Sequence, residues 1–130
     1  MKLPLAVAAG GAIGAPLRLA MSLWLTPHGM PGFPWGTLAC NLSGSLALGL
    51  WTGYVLARPG MAAVWKEFVG TGLIGSYTTF SAFSLELVVL LQHGETFEAA
   101  LYLTVSLVAG LALAAAGLQL MRSAARRNRA

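Results

Sequence analysis

Gly70-Thr71-Gly72-Leu73-Ile74-Gly75-Ser76-Tyr77-Thr78-Thr79-Phe80-Ser81-Ala82-Phe83-Ser84 lies inside an apolar run that extends from Val64 to Leu91. Taken as one helix over residues 64–92, the run would be about 43 Å long at 1.5 Å per residue, longer than the roughly 30 Å hydrocarbon core of a bilayer requires. It must therefore tilt or break. Three glycines lead into Ser76-Tyr77-Thr78-Thr79, a stretch of weak helix formers, and a local unwinding is expected there. The alternation from Phe80 to Ser84 also fits a strand, but an unpaired strand is excluded in lipid. Unwinding at membrane depth frees backbone carbonyls and amides, which are tolerated only where protein or a cavity surrounds them. Interrupted helices of this kind recur at ion sites, because freed carbonyls hold a cation and the restarted helix presents a positive N-terminus.

Outward from this stretch, apolar runs over residues 3–25, 34–57 and 97–121 are each long enough to span, with the third span at 64–92. The breaks carry turn chemistry, from Thr26 to Gly32, at Arg58-Pro59-Gly60 and at His93-Gly94-Glu95. The 130 residues are 57% hydrophobic and 9% charged, against about 25% charged in soluble domains. The expectation is an all-α membrane protein, one four-helix transmembrane domain with a broken third helix and a basic tail over 122–130. Lys2 before an apolar run suggests a signal peptide, but Arg18 interrupts the run and three spans follow, so cleavage is not expected. Cys40 is the single cysteine and lies inside the second span, which excludes an internal disulfide, argues against a metal cluster and leaves a packing role.

The net charge is +4, and the tail holds Arg122, Arg126, Arg127 and Arg129. Such a tail can signal nucleic acid. In so apolar a chain it reads instead as a cytoplasmic flank under the positive-inside rule, with lipid and not nucleic acid as its surroundings. With both termini inside, Lys2, Arg58, Lys66 and the tail arginines share the cytoplasmic side, and the two outer loops contain no Lys or Arg. Taken alone this gives one orientation in the cell inner membrane. Trp24, Trp35 and Trp65 fall near span ends, where indole favours the interface.

Polar side chains within the spans are few. Asn41 and Ser45 stand four apart on the second span, Tyr102 and Ser106 four apart on the fourth, and Thr79, Phe80, Phe83 and Ser84 share a face of the third. Intramembrane polar groups are costly unless partnered and face a bundle interior or a wet path. For Ser and Thr the alternative is a bond to a preceding carbonyl; Asn41, with two donors and an acceptor, is harder to satisfy that way. Arg18 reads equally as an anion-attracting vestibule charge and as a snorkelling interfacial residue. Glu86, the one acid deep in a span, is expected near its outer end, at the interface or in a vestibule. His28 and His93 are in loops. Small residues at helix-contact spacing, Gly10 with Gly14, Ser45 with Gly49 and Gly53, and Gly110 with Ala114, predict close helix packing. Four tightly packed helices leave no central path, so transport requires an oligomer.

Depth adds a constraint. Arg18, Asn41, Phe83, Ser84 and Tyr102 all fall in the outer half of their spans, so an inverted partner would line the half that one chain leaves bare. That argues for an antiparallel dimer and conflicts with the charge asymmetry. The lining offers amide and hydroxyl donors and phenyl edges of positive quadrupole, which suit a small anion and not a metal ion or proton relay.

Three motifs complete the reading. Gly10-Gly11-Ala12-Ile13-Gly14-Ala15-Pro16-Leu17-Arg18 resembles the Gly-Gly-x-x-Gly-Ala-x-x-Arg of the Fluc, or CrcB-type, fluoride channel family. Gly36-Thr37-Leu38 with Asn41-Leu42-Ser43-Gly44-Ser45 is similar to its second-span motif, and Gly75 to Ser84 to its third. The resemblance implies a dual-topology antiparallel homodimer that passes fluoride passively out of the cell and so confers fluoride resistance. It implies that Phe80 and Phe83 line the pores and that Asn41, Ser84 and Tyr102 belong to the polar track, with Ser106 and Arg18 as further candidates for the pathway. It also implies a structural sodium ion at the dimer interface, held by the backbone carbonyls of Gly75 and Thr78 from both subunits. Ala82 departs from the family pattern, which has Thr there. The charge bias departs too, and it leaves room for an oppositely oriented related chain as partner. A small multidrug-type, proton-coupled exporter is the main alternative and would have to use Glu86; a subunit without flux of its own is a third.

Overall fold

In the computed structural model, residues 1–26 and 32–127 are described. The turn residues Pro27 to Pro31, His28 among them, and the tail residues Asn128 to Ala130 lie outside that range. Among the described residues the secondary structure is helical: α1 (Lys2–Leu25), α2 (Trp35–Leu56), α3 (Ala63–Lys66), a π-helical segment (Glu67–Ile74), α4 (Gly75–Tyr77), α5 (Ser81–Gln92) and α6 (Thr96–Arg127). From Ala63 to Gln92 the pieces follow one another as a single interrupted rod, so the chain makes four rods with the third broken. Three rods, α1, Ala63–Gln92 and α6, are long and apolar enough to cross a membrane. The 22 residues of α2 also suffice in length, but Thr37, Asn41, Ser43 and Ser45 make it the more polar one.

The rods alternate in direction, and the contacts pair them. Gly36 of α2 packs on Ser22 of α1, and the Cys40 thiol lies 3.9 Å from the Arg18 carbonyl, so α1 and α2 are antiparallel. Gly10 faces Phe68 and Leu73 while Gly14 faces Leu73 and Tyr77, so α1 and the π segment run the same way. By the same measure α2 and α6 are parallel, with Gly49 against Ala114 and Gly53 against Leu118 and Met121. Apart from Gly53 against the Met121 side chain, the glycines here meet backbone. A Cβ at Gly14 would overlap the Leu73 carbonyl oxygen, and one at Gly49 the Ala114 carbonyl oxygen. In lipid, which offers no hydrophobic drive between helices, such approach gives the packing its strength.

The unwinding is narrower than the glycine content suggested. Gly70, Gly72 and Gly75 stay helical, the first two in the π segment, and the chain leaves the helix at Thr78, where ψ is 159°. Glycine is needed in this rod for close approach: a Cβ on Gly72 would lie 2.7 Å from the Val7 carbonyl oxygen. At the other end of the bundle, Phe83, Leu90, Leu38, Ala99 and Tyr102 form the buried cluster between α2, α5 and α6. Trp24, Trp35 and Trp65 are exposed. Instead of fraying into a tail, α6 continues to Arg127 and places Arg122, Arg126 and Arg127 on helix.

Candidate functional site: the break in the third rod

The break is held by one amide. Asn41 Nδ2 donates to the Thr79 carbonyl at 2.9 Å, and the Thr79 N–H donates to Asn41 Oδ1 at 2.8 Å. The side chain thus imitates a peptide group, pairing with Thr79 as a neighbouring backbone would. Thr78 Oγ1 donates back to Ile74 O at 3.1 Å, and the Thr79 hydroxyl accepts from the Ala82 N–H at 3.3 Å, starting α5. The sequence sets this up with threonines on both sides of the gap, residues whose hydroxyls compete for backbone partners.

Two recesses flank the break, and Thr79 lines both. One, of about 470 Å³, gathers Asn41, Ser45, Thr78, Phe80, Phe83 and Ser106, with Gly75 at its edge. The Ser106 hydroxyl is buried there and has no partner among the described residues. The Phe80 ring is 80% exposed and lies 5.9 Å from the buried Phe83 ring. On the far side, a recess of about 540 Å³ is lined by Arg18, Ser22, Thr37, Pro16 and Ala82.

The candidates named from sequence are therefore split. Asn41, Phe80, Phe83, Ser106, Gly75 and Thr78 share one groove. Arg18 faces the other recess. Ser84 donates to the Phe80 carbonyl at 2.9 Å, the backbone bond that is the ordinary alternative for a helical serine. Tyr102 is fully buried behind Phe83, with ring centroids 5.0 Å apart, and its hydroxyl donates to Glu86 Oε2 at 2.7 Å. The buried Thr37 hydroxyl donates to Glu86 Oε1 at 2.7 Å. Glu86 is thus half-buried and held between two hydroxyls, and it also lines a recess of about 190 Å³ with Pro34, His93 and Glu95 at the loop end of the bundle, the end at which it was expected. Its pairing with Thr37 escaped the sequence reading. The signal was present, since Thr37, Asn41 and Ser45 repeat every four residues along one stripe of α2. Among the described residues no group of three His, Cys, Asp or Glu could hold a metal.

Four membrane-length rods, one broken at mid-depth and pinned by an amide beside a groove of hydroxyls and phenyl rings, define a multi-pass membrane protein built around an interrupted helix. The chain belongs to the family described as CrcB-like protein, Camphor Resistance (CrcB), which matches residues 5–118. It is 41% identical over 119 residues to a protein of Rhizobium meliloti (strain 1021) named fluoride-specific ion channel FluC, covering 92% of this chain and 95% of that one. It is 45% identical over 119 residues to a protein of the same name from Hyphomonas neptunium (91% and 94% covered), and 44% identical over 121 residues to one from Erythrobacter litoralis (89% of each).

Proposed function

We propose that this chain is a subunit of a fluoride-selective ion channel that lets fluoride leave the cell passively. The observation that carries the reading is the identity of 41–45% over some nine-tenths of the chain with proteins named for that activity. The groove chemistry supports it. Amide and hydroxyl donors and ring edges give a small anion several weak partners in place of its water, and no fixed cation lines that groove to trap it. Phe80, Phe83, Asn41 and Ser106 are the residues we assign to the path, with Thr79 at its wall. Arg18, across the break, is the charge that draws anions toward it. Ser84 and Tyr102 act through what they hold, the Phe80 carbonyl and Glu86.

One chain lines one side of a groove, and Phe80 stands open to whatever pairs with it. We take the channel to be two chains in inverted pairing, the second being another copy or an oppositely oriented related chain. A structural sodium ion fits the break. The helical partner of the Gly75 carbonyl would be the Thr79 N–H, which Asn41 takes instead; that of the Thr78 carbonyl would be the Ala82 N–H, which goes to the Thr79 hydroxyl. Both carbonyls are left without these donors, both are hard oxygen ligands, and Gly75 is exposed. The ion would supply charge that ties two breaks together at the pairing face.

The test is efflux from liposomes. The purified chain, reconstituted alone, should release fluoride rapidly and leave chloride trapped, read with ion-selective electrodes. Folded protein that releases neither ion alone, and still neither with a co-reconstituted related chain, would refute the channel reading.

A further inference from the structure

At the opposite end of α2 from Asn41 lies a cleft that the permeation reading does not use. It has a volume of about 370 Å³ and is lined by Gly53, Leu56 and Ala57 of the α2 terminus and by Arg122, Ala125 and Arg126 of α6. Arg122 and Arg126 are four apart, so both guanidinium groups lie over one face of α6, the face turned to α2. The cleft lies where the two parallel helices part, beyond Gly53, which packs on Met121 and Leu118 one turn before α2 ends.

Depth places this cleft at the membrane surface. Thirty-two residues of α6 make about 48 Å of helix, so its last turns stand beyond a hydrocarbon core of roughly 30 Å. Beside it Trp51 and Tyr54 stack at 5.6 Å, and the Arg58 guanidinium lies 4.4 Å from the Tyr54 ring centroid, an arrangement suited to the headgroup level. No carboxylate neutralises the two arginines from within either helix: α2 contains none, and the one acid of α6, Glu98, is in its first turn. Glu67, at the same end of the bundle, accepts from the Thr71 hydroxyl at 2.7 Å. The α2 C-terminus presents about half a negative charge to the cleft, which two full positive charges outweigh.

We propose that this cleft binds the headgroup of an anionic phospholipid. Arg122 and Arg126 hold the phosphate by paired N–H bonds, the geometry that guanidinium offers and ammonium does not. Leu56, Ala57 and Ala125 give the glycerol and upper acyl chain an apolar floor. The site is independent of the fluoride path, since it rests on the membrane placement and not on what the protein conducts.

Native mass spectrometry of the purified chain in detergent, with phosphatidylglycerol or phosphatidylcholine added at equal concentration, reads it directly. One phosphatidylglycerol per chain should be retained at least about tenfold better than phosphatidylcholine. The double variant R122Q/R126Q should lose it. Ala125→Trp, which fills the cleft and leaves both charges, should lose it too, while Arg127→Gln and Lys2→Gln keep it. Equal retention of the two lipids, or retention by both the double variant and Ala125→Trp, would overturn the proposal. So would complete displacement of the lipid by millimolar inorganic phosphate, which would make the cleft a site for the free anion.

Discussion

Asn41 shows what a single side chain can do at membrane depth. Its two bonds to Thr79 satisfy an N–H and a carbonyl that the break would otherwise leave bare, and each such group left unpaired costs about 1–3 kcal/mol. Asn41→Ala should therefore lower the melting temperature of the detergent-purified protein as well as its fluoride flux; loss of flux at unchanged stability would mean that the amide serves only the ion. Phe80 and Phe83 should part company in the same two assays. Phe80→Ile, at an exposed ring, is expected to change stability by no more than about 0.5 kcal/mol while slowing flux. Phe83→Ile reshapes a buried contact with Tyr102 and should cost about 1–3 kcal/mol. Glu86→Gln keeps an acceptor for one of the two hydroxyls, so flux should change but persist; abolished flux would revive the proton-coupled exporter. At this scale the sequence disclosed residue types better than partners. The polar stripe on α2 was legible from its spacing of four. That Thr37 and Tyr102 meet on Glu86 was not, because their separations of 49 and 16 residues from it carry no local signal.

Among the elements, the interrupted rod and the glycine seams are the features that the sequence announced. Length beyond the core's thickness predicted a break or tilt, and Gly10 with Gly14 and Gly49 with Gly53 predicted close contact, because small residues at a repeat of four leave one face of a helix flat. The break was expected over Ser76 to Thr79 and falls at Thr78 to Phe80, so its place was legible although its exact bounds were not. Glycine is as good a signal for close packing as for unwinding, and here Gly70 and Gly72 sit in helix while two threonines form the gap. The two uses can be separated by substitution. Gly14→Ala forces a Cβ onto the Leu73 carbonyl and should destabilise the subunit by about 1–3 kcal/mol or more, seen as a lower melting temperature. Gly75→Ala meets only the Gly70 carbonyl, at an ordinary 3.6 Å, so the subunit should melt normally. Its added methyl stands on the exposed face, and cross-linking of paired chains should fall.

For the molecule as a whole, the alternating rods sort the charges by end. Lys2, Arg58, Lys66 and the α6 arginines gather at one end with Glu67 among them, and Glu95 and Glu98 lie at the other, toward which Arg18 is displaced. The proposed path calls for an inverted partner, whereas the charges favour one direction of insertion. Replacing Cys40 and adding a cysteine at each terminus in turn allows orientation to be read in intact cells with an impermeant label. Label reaching a fraction of each terminus is the outcome expected of a second copy; protection of both termini throughout would assign the inverted subunit to a related chain. The glycine seams have one more consequence. Backbones in direct contact along α1 and the π segment, and along α2 and α6, can neither slide nor rotate past one another without a clash of carbonyl oxygens. Within each pair no single helix can therefore swing aside to expose a site first to one side and then to the other. For the channel proposed here flux should track the electrochemical gradient without saturating at the turnover rate of a moving carrier.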